Sequence, residues 1–274
     1  MNAEHVRPWD AVGFVIALLL AVTAGAGLFV TDFYRPFLES QLLLAGAIVQ
    51  DAVSLGVAVA LVSVIIRARR GSLRAFVVWN GLLLYTLYYY SFYAIDEVYT
   101  PLYPLYLALM GLAAYSLLGL LSRVDLVEFT RHMRPSLPAR WISLVLGMAI
   151  LFVPLWLTMV VSTIRTQTGH PFTTVFVLDL AFLIPAMVIA AVQLWRRRPS
   201  GYLLAGVLLV KSAISGLLLT VGSLWQIQLG FPVAMEELGM YLFLLTAGGL
   251  ALAVFLSHLC NEVSPERFPA QPAV

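Results

Sequence analysis

The residue in this chain best suited to chemistry is Lys211, because it is the only lysine and its surroundings are apolar. The other fifteen basic residues are arginines. Lys211 stands inside the apolar run from Tyr202 to Leu224, which is long enough to form a membrane-spanning helix. A lysine near the centre of a bilayer costs roughly 2.5 to 3.5 kcal/mol on insertion scales, so it is kept where a charge, a cavity or a reaction uses it. Lys211 therefore predicts a buried site.

Two aspartates inside other apolar runs are the candidate partners of Lys211. Asp51 and Lys211 each stand nine residues from one end of their runs, so we expect them at similar depth. Asp179 is expected closer to the surface, but its helix and that of Lys211 form a hairpin through residues 196–201, and a long lysine side chain could reach it. Depth favours Asp51, and chain proximity favours Asp179. Either pair could serve a ligand or only fix helix packing, because intramembrane charges pair for both reasons.

Hydroxyl groups near these charges could line a ligand cavity. Ser54 and Ser215 each lie one helical turn from one of the charges. Tyr85, Tyr89 and Tyr93 recur at every fourth position and therefore share one helix face. This stripe predicts either a tyrosine-lined vestibule or an interfacial belt with core packing, since tyrosines are enriched at membrane surfaces. The predicted ligand-binding or ion-coupling residues are Lys211, Asp51, Asp179, Ser54, Ser215, Tyr85 and Tyr89.

The composition places these residues in a membrane. Of 274 residues, 61% are hydrophobic and 11% are charged, and the mean hydropathy is +0.94; a water-soluble core does not bury so much apolar surface. Eight stretches could cross about 30 Å of hydrocarbon as helices, namely 10–30, 42–66, 75–95, 103–122, 141–163, 174–195, 202–226 and 238–258. The predicted fold class is an all-α integral membrane protein with eight transmembrane helices. Pro154 and Pro185 are expected to interrupt the fifth and sixth helices.

The arginines fall in alternate loops and predict the orientation of these helices. Thirteen of the fifteen lie on one side of the predicted membrane, including those at both ends of the chain. The other side carries only Arg35 and Arg165, and it holds six acidic residues, Asp32, Glu39, Asp96, Glu97, Glu236 and Glu237. By the positive-inside bias, the arginine-rich side and both termini are cytoplasmic. The arginines thus serve topology, and no nucleic-acid partner is predicted.

The longest arginine-rich connection divides the chain into two groups of four helices. The predicted organisation is a first half at 1–122, a cytoplasmic connection at 123–140, a second half at 141–262 and a flexible tail at 263–274. A shift of the sequence by 128 positions aligns Asp51 with Asp179 without a gap. Halves with an even number of spans would be parallel repeats about an axis along the membrane normal. The alternative is that arginine turns recur only for topology.

Two segments carry a resemblance to a known family. The first runs from Val177 to Asp179 through the arginine turn to Lys211, and the second runs from Tyr99 to Ala108. Both resemble segments of a family of uncharacterised bacterial multi-pass membrane proteins, and with the helices that they bracket they cover about half of the chain. The resemblance implies a location in the bacterial cytoplasmic (inner) membrane. It marks Asp179 and Lys211 as positions of interest and implies no activity.

The function favoured by these features is transport of a small solute or an ion. Buried ionisable groups at mid-depth and a two-half construction are typical of carriers whose parallel halves rock around a central site. The alternative is a non-catalytic membrane receptor, assembly or scaffold protein. The expected partners are the lipid bilayer and a small-molecule or ion ligand.

Catalytic roles are less favoured by the sequence. The four histidines stand at helix ends and in tails, so they predict no metal site, and we expect neither a metal nor a cofactor. A chromophore-binding lysine, as in retinal proteins, remains an alternative. Those proteins carry an aspartate one turn before the lysine, whereas Val207 stands at that position here.

Overall fold

Helices make up the regular structure of the described part of the chain. The computed structural model describes residues 7–38, 40–170 and 172–261, so the predicted tail at 263–274 lies outside it. The structure is 81% helical, and no strand occurs among these residues. Seven helical segments are long and apolar enough to cross a membrane: Pro8–Phe29, Gln41–Arg69, Tyr103–Leu121, Ala139–Thr166, Thr173–Trp195, Pro199–Gln228 and Met235–His258. The protein is therefore an all-helical, multi-pass membrane protein.

The helices are numbered along the chain. They are α1 (Arg7–Phe29), α2 (Gln41–Arg69), α3 (Leu73–Ile95), α4 (Tyr103–Leu121), α5 (Leu126–Arg131), α6 (Ala139–Gly147), α7 (Phe152–Thr166), α8 (Thr173–Leu178), α9 (Ile184–Trp195), α10 (Pro199–Gln228) and α11 (Met235–His258). A 3₁₀ turn, Met148–Leu151, joins α6 to α7, and a π turn, Asp179–Leu183, joins α8 to α9. Each of these pairs forms one long segment.

The third predicted span, 75–95, lies in α3, which is not among the seven apolar segments. Its tyrosines make it less apolar, and its position explains how it tolerates them. The helix packs against α2, α4 and α10, and Trp79, Tyr85 and Tyr90 on it are fully buried. A helix enclosed by other helices needs no continuous apolar face toward lipid. Seven membrane-spanning segments are therefore supported in the described ranges, and the count of eight stays a prediction.

The helices α3 and α10 pack against each other at the centre of the bundle. Gly81 of α3 allows this contact, because a Cβ added there would come within 2.3 Å of the Val210 Cβ on α10. Gly206 of α10 is similarly close to Val77 of α3, at 2.8 Å from an added Cβ to the Val77 side chain. Small residues at such crossings let two helix backbones approach closely. The side chains of α3 and α10 are thus brought together in the interior.

Both prolines within the long segments lie next to irregular turns, as predicted. Pro154 follows the 3₁₀ turn, and Pro185 follows the π turn. Proline has no N–H and its ring clashes with the carbonyl four residues earlier, which for Pro185 is that of Ala181. The π turn responds to this, since the Ile184 N–H bonds to the Asp179 carbonyl five residues earlier. Such π turns are frequent at functional sites.

At the arginine-rich end of the bundle, the 123–140 connection contacts the end of α11. The connection contains α5 and runs directly into α6. Beyond α5, Met133 forms an antiparallel bridge with Leu259, and the Arg134 N–H donates to the His258 carbonyl at 2.9 Å. The Arg74 Nε donates to the Leu259 carbonyl at 2.6 Å. The backbone contacts join the connection to α11, and the Arg74 side chain joins the first predicted half to the second at this end.

The helix α7 lies at the periphery. None of its residues is buried, and its exposed side chains include Leu157, Val161 and Ile164. An apolar helix surface without protein neighbours suits contact with lipid. Trp156 is the residue of this helix that reaches the polar interior, as described next.

Candidate functional site

Lys211 lies in the interior of α10 and is only 4% exposed. It is twelve residues beyond the start of α10 at Pro199, so it lies about 18 Å along the helix from the arginine-rich end. The Lys211 Nζ is 3.6 Å from the centroid of the Tyr88 ring and 5.8 Å from that of Tyr89. A cation within about 6 Å of an aromatic face is attracted by it. Two tyrosines of α3 therefore hold the ammonium group.

Asp179 begins the π turn after α8, and its carboxylate is held by two neutral donors. The Tyr88 hydroxyl donates to Oδ1 at 2.6 Å, and the Trp156 indole Nε1 donates to Oδ2 at 3.1 Å. All three side chains are partly exposed. Hydrogen bonds to a charged acceptor are stronger than those between neutral groups. The Asp179 carboxylate is therefore stabilised by Tyr88 and Trp156 and not by a direct contact with Lys211.

Tyr88 is the side chain that connects Lys211 to an aspartate. Among the described residues, no carboxylate oxygen lies within 4 Å of the Lys211 Nζ. The face of the Tyr88 ring supports the ammonium group, while the hydroxyl of the same ring bonds to Asp179. We call Lys211, Tyr88, Asp179 and Trp156 the lysine cluster.

Asp51 belongs to a different cluster, which involves the loop after α1. It is 1% exposed, and the Tyr34 hydroxyl donates to its Oδ2 at 2.7 Å. Its Oδ1 is buried and has no hydrogen-bond partner. The Tyr34 ring is stacked on that of Tyr93, with centroids 5.8 Å apart and planes within 5°. We call Asp51, Tyr34 and Tyr93 the aspartate cluster.

The remaining predicted site residues are buried on the same helices, α2, α3 and α10. Ser54 is fully buried, and its hydroxyl is 3.0 Å from the Tyr85 hydroxyl. The Tyr85 and Tyr89 rings are in contact, with centroids 4.6 Å apart. Ser215 is buried one turn beyond Lys211. The tyrosine stripe is thus buried inside the bundle, with Tyr89 next to Lys211 and Tyr85 next to Ser54.

Sequence reasoning missed Tyr88, Trp156 and Tyr34. Tyr88 stands outside the every-fourth-residue stripe of Tyr85, Tyr89 and Tyr93, and the partner that the sequence predicts for a buried lysine is a carboxylate. Trp156 comes from the peripheral α7, and Tyr34 from the loop after α1. An available signal was that buried aspartates need donors and that tyrosine and tryptophan supply them inside membranes.

A polar contact at the acidic end connects α3 to α8 near the lysine cluster. The Thr174 hydroxyl donates to Oδ1 of Asp96, the residue that follows α3. Burial raises the pKa of the Asp96 carboxyl above its usual value, while the hydrogen bond from Thr174 acts in the opposite direction. This contact holds the start of α8, and hence Asp179, beside α3.

A shallow groove runs along α7, and its lining comes from that helix alone: Leu157, Thr158, Val161, Ser162, Arg165 and Thr166. It includes none of the predicted site residues. No group of three or more His, Cys, Asp or Glu side chains in the described part of the chain could hold a metal ion.

Comparisons with known proteins add no assignment. No protein-family model matches the chain, and neither a curated protein nor a solved structure shows significant similarity to it. The resemblance of two segments to bacterial multi-pass membrane proteins therefore stays a prediction.

Proposed function

We propose that this protein is a membrane transporter for a small anionic solute, and that Lys211 binds the negative charge of the solute. The observation that supports this most is the position of the Lys211 ammonium, which is buried over Tyr88 with no carboxylate within 4 Å among the described residues. A cation–π contact contributes about 0.5 to 2 kcal/mol, whereas removing an ion from water costs several kcal/mol. An anion entering the site would supply the missing opposite charge.

The hydrogen bonds of Asp179 favour an exchangeable site over a permanent ion pair. Tyr88 and Trp156 both donate to this carboxylate, so Lys211 is left for a ligand. Asp179 also provides a nearby negative charge, which attracts the Lys211 ammonium group between binding events. The partial exposure of Asp179, Tyr88 and Trp156 offers a route into the cluster.

The packing of each helix on its neighbours supports a construction from two parallel four-helix halves. In this construction α3 also crosses the membrane and brings the number of spans from seven to eight. The third long helices of the two halves, α3 and α10, pack on each other. In the first half, α1 and α3 both pack on α2 and α4. In the second half, α6 and α10 likewise both pack on α9 and α11. Carriers with parallel halves bind solute where the halves meet. Lys211 and Tyr88 come from opposite sides of that boundary.

The turns before α3 and α10 support a repeat register that differs from the 128-residue shift suggested by the sequence. Each turn contains one residue with positive φ, Gly71 at 88° and Arg197 at 52°, and the same pair of backbone hydrogen bonds closes both. These residues are 126 positions apart, not 128. In this register Asp51 corresponds to Val177 rather than to Asp179. Two halves with this relation would carry different sites, which agrees with the different surroundings of the two aspartates.

The proposal places the arginine-rich end in the cytoplasm and the protein in the bacterial inner membrane. The thirteen-to-two distribution of arginines supports this orientation, which puts both termini on the cytoplasmic side. In that orientation, the contacts between the 123–140 connection and α11 lie at the cytoplasmic end.

The test of this proposal is uptake by the purified protein in proteoliposomes. The probes are radiolabelled chloride, sulfate, phosphate, lactate and succinate, each measured against protein-free liposomes. We expect uptake of at least one probe by the wild type. Lys211→Met keeps an unbranched side chain that ends at the Cε position and removes the charge. It should weaken the apparent affinity by roughly tenfold to a hundredfold, because a hydrogen bond to a charged group contributes about 1.5 to 3 kcal/mol.

The matched control is Arg70→Met, which removes an exposed cation at the arginine-rich end. It should leave the apparent affinity unchanged. Equal uptake by wild type and Lys211→Met would reject the role of Lys211. Binding of a probe without any uptake would indicate a receptor instead of a transporter.

A further inference from the structure

The aspartate cluster holds a carboxylate that the lysine cluster does not use. Asp51 is 1% exposed in the interior of α2 and accepts one hydrogen bond, from Tyr34. Its second oxygen, Oδ1, is buried without a partner. In the described ranges no lysine, arginine or histidine nitrogen lies within 4 Å of either oxygen. An isolated ionised carboxylate is so costly to bury that such groups become neutral instead.

The surrounding helices are shaped around this carboxyl group. Gly27 of α1 lies against it, and a Cβ added to Gly27 would come within 1.8 Å of the Asp51 Oδ2. Any larger residue at Gly27 would therefore displace the carboxyl group. The Tyr93 ring stacks on Tyr34 and also on Tyr106 of α4. The centroids of the Tyr93 and Tyr106 rings are 4.9 Å apart. Side chains and backbone from α1, α3, α4 and the loop after α1 enclose Asp51.

Within the described ranges, the ionisable groups that face Asp51 are tyrosines. They are Tyr34 from the loop after α1, Tyr85, Tyr90 and Tyr93 from α3, and Tyr106 from α4. Tyr90 also contacts Thr23 of α1, with the two hydroxyl oxygens 2.8 Å apart. From α10, the charged group is Lys211, and it lies over Tyr88. No cation in the described part of the chain therefore neutralises Asp51 directly.

We infer that Asp51 carries an exchangeable proton and is the coupling site of the transporter, separate from the solute site at Lys211. This inference rests on the proposed transport function. The proton resides on Oδ1, the oxygen without a partner, while Oδ2 continues to accept the hydrogen bond from Tyr34. A proton fits better than a metal cation, because Na⁺ or Ca²⁺ needs several oxygen ligands and the nearest hydroxyl on α2, that of Ser54, contacts Tyr85.

Coupling follows from the different stability of the two protonation states. With the proton on Oδ1, Asp51 is neutral and the enclosed conformation is stable. Release of the proton to water leaves a carboxylate charge that the enclosure does not satisfy, so a conformation that admits water becomes favoured. Proton binding thereby biases the same conformational equilibrium that solute binding at Lys211 biases. One proton and one monovalent anion moving together would carry no net charge.

The first experiment observes the proton without depending on transport. Infrared spectra of the protein in lipid, recorded as a function of pH, report protonated carboxyl groups through their C=O stretching band. We expect a band that persists at neutral pH in the wild type, is lost in Asp51→Asn and is retained in Asp179→Asn. Tyr34→Phe removes the one donor to Asp51 among the described residues, so the band should remain and shift to higher frequency. This variant keeps the inference testable where Asp51→Asn fails to fold.

The second experiment measures coupling with the probe anion that the wild type takes up. An inward proton gradient should accelerate wild-type uptake, and Asp51→Asn should lose this acceleration while anion exchange at equal pH on both sides is retained. Identical infrared spectra of wild type and Asp51→Asn would overturn the inference, as would proton-dependent uptake that persists in Asp51→Asn. Absence of uptake of every probe would reject the transporter and the coupling role. The infrared band alone would then decide whether Asp51 holds a proton.

Discussion

At the scale of single residues, Tyr88 is the side chain on which the lysine cluster depends. Its ring lies under the Lys211 ammonium, and its hydroxyl donates to Asp179. Tyr88→Phe keeps the ring and removes the donor, so we expect it to lower the free energy of unfolding by about 0.5 to 2 kcal/mol, the range of interhelical hydrogen bonds in membranes. Tyr88→Leu should lose about 0.5 to 2 kcal/mol more, because the cation–π contact disappears as well. Unfolding in mixed micelles measures both values.

The control for this pair is Tyr115→Phe, since Tyr115 is 72% exposed on α4. Removing this exposed hydroxyl should leave the free energy of unfolding unchanged. The free energy of unfolding should decrease from the wild type to Tyr88→Phe and again to Tyr88→Leu. Equal stability of the two Tyr88 variants would mean that the ring does not support Lys211.

The charged residues of both clusters could be predicted from the sequence, but their immediate partners could not. Lys211, Asp51 and Asp179 are conspicuous because charges inside apolar runs are costly. Tyr88 and Tyr34 are not, because tyrosine is ordinary at membrane surfaces and in cores. The two aspartates also looked equivalent in a sequence alignment shifted by 128 positions. Their difference depends on which donors the folded helices bring to each carboxylate, and that is a property of tertiary packing.

At the scale of the helices, hydrophobic run length predicted most of the architecture. Seven of the eight predicted stretches correspond to apolar helices in the described ranges. The exception, α3, shows the limit of the approach, because a central helix is stabilised by its protein neighbours and can carry many hydroxyl groups. The short α5 within the connection lacked the length to be found in this way. Proline positions predicted irregularity in the fifth and sixth segments, while the choice of a 3₁₀ turn at one and a π turn at the other came from the local geometry.

At the scale of the whole molecule, the distribution of arginines predicts which end faces the cytoplasm. A single cysteine placed at Ser122, at the arginine-rich end, should be protected from an impermeant maleimide in intact cells. One placed at Tyr99, at the acidic end, should react. Both positions are exposed, so reactivity reports the side of the membrane. The background chain carries Cys260→Ser, because Cys260 is the only native cysteine.

Labelling after the cells are opened provides the control for this prediction. Ser122→Cys should then become reactive, which shows that protection came from the membrane and not from local structure. The reverse pattern, with Ser122→Cys reactive in intact cells and Tyr99→Cys protected, would contradict the proposed orientation.

The central claim is that the buried ammonium of Lys211 is available to an anionic ligand, and a single lysine makes this directly measurable. Protein grown with lysine that carries a heavy nitrogen isotope at Nζ gives one side-chain signal in nuclear magnetic resonance, because the chain contains one lysine. We predict that the signal has the shift of an ammonium group, and that it moves on addition of the anion that the wild type takes up while an equal concentration of the other probes leaves it in place. A signal that stays unchanged with every anion of the panel would contradict the account.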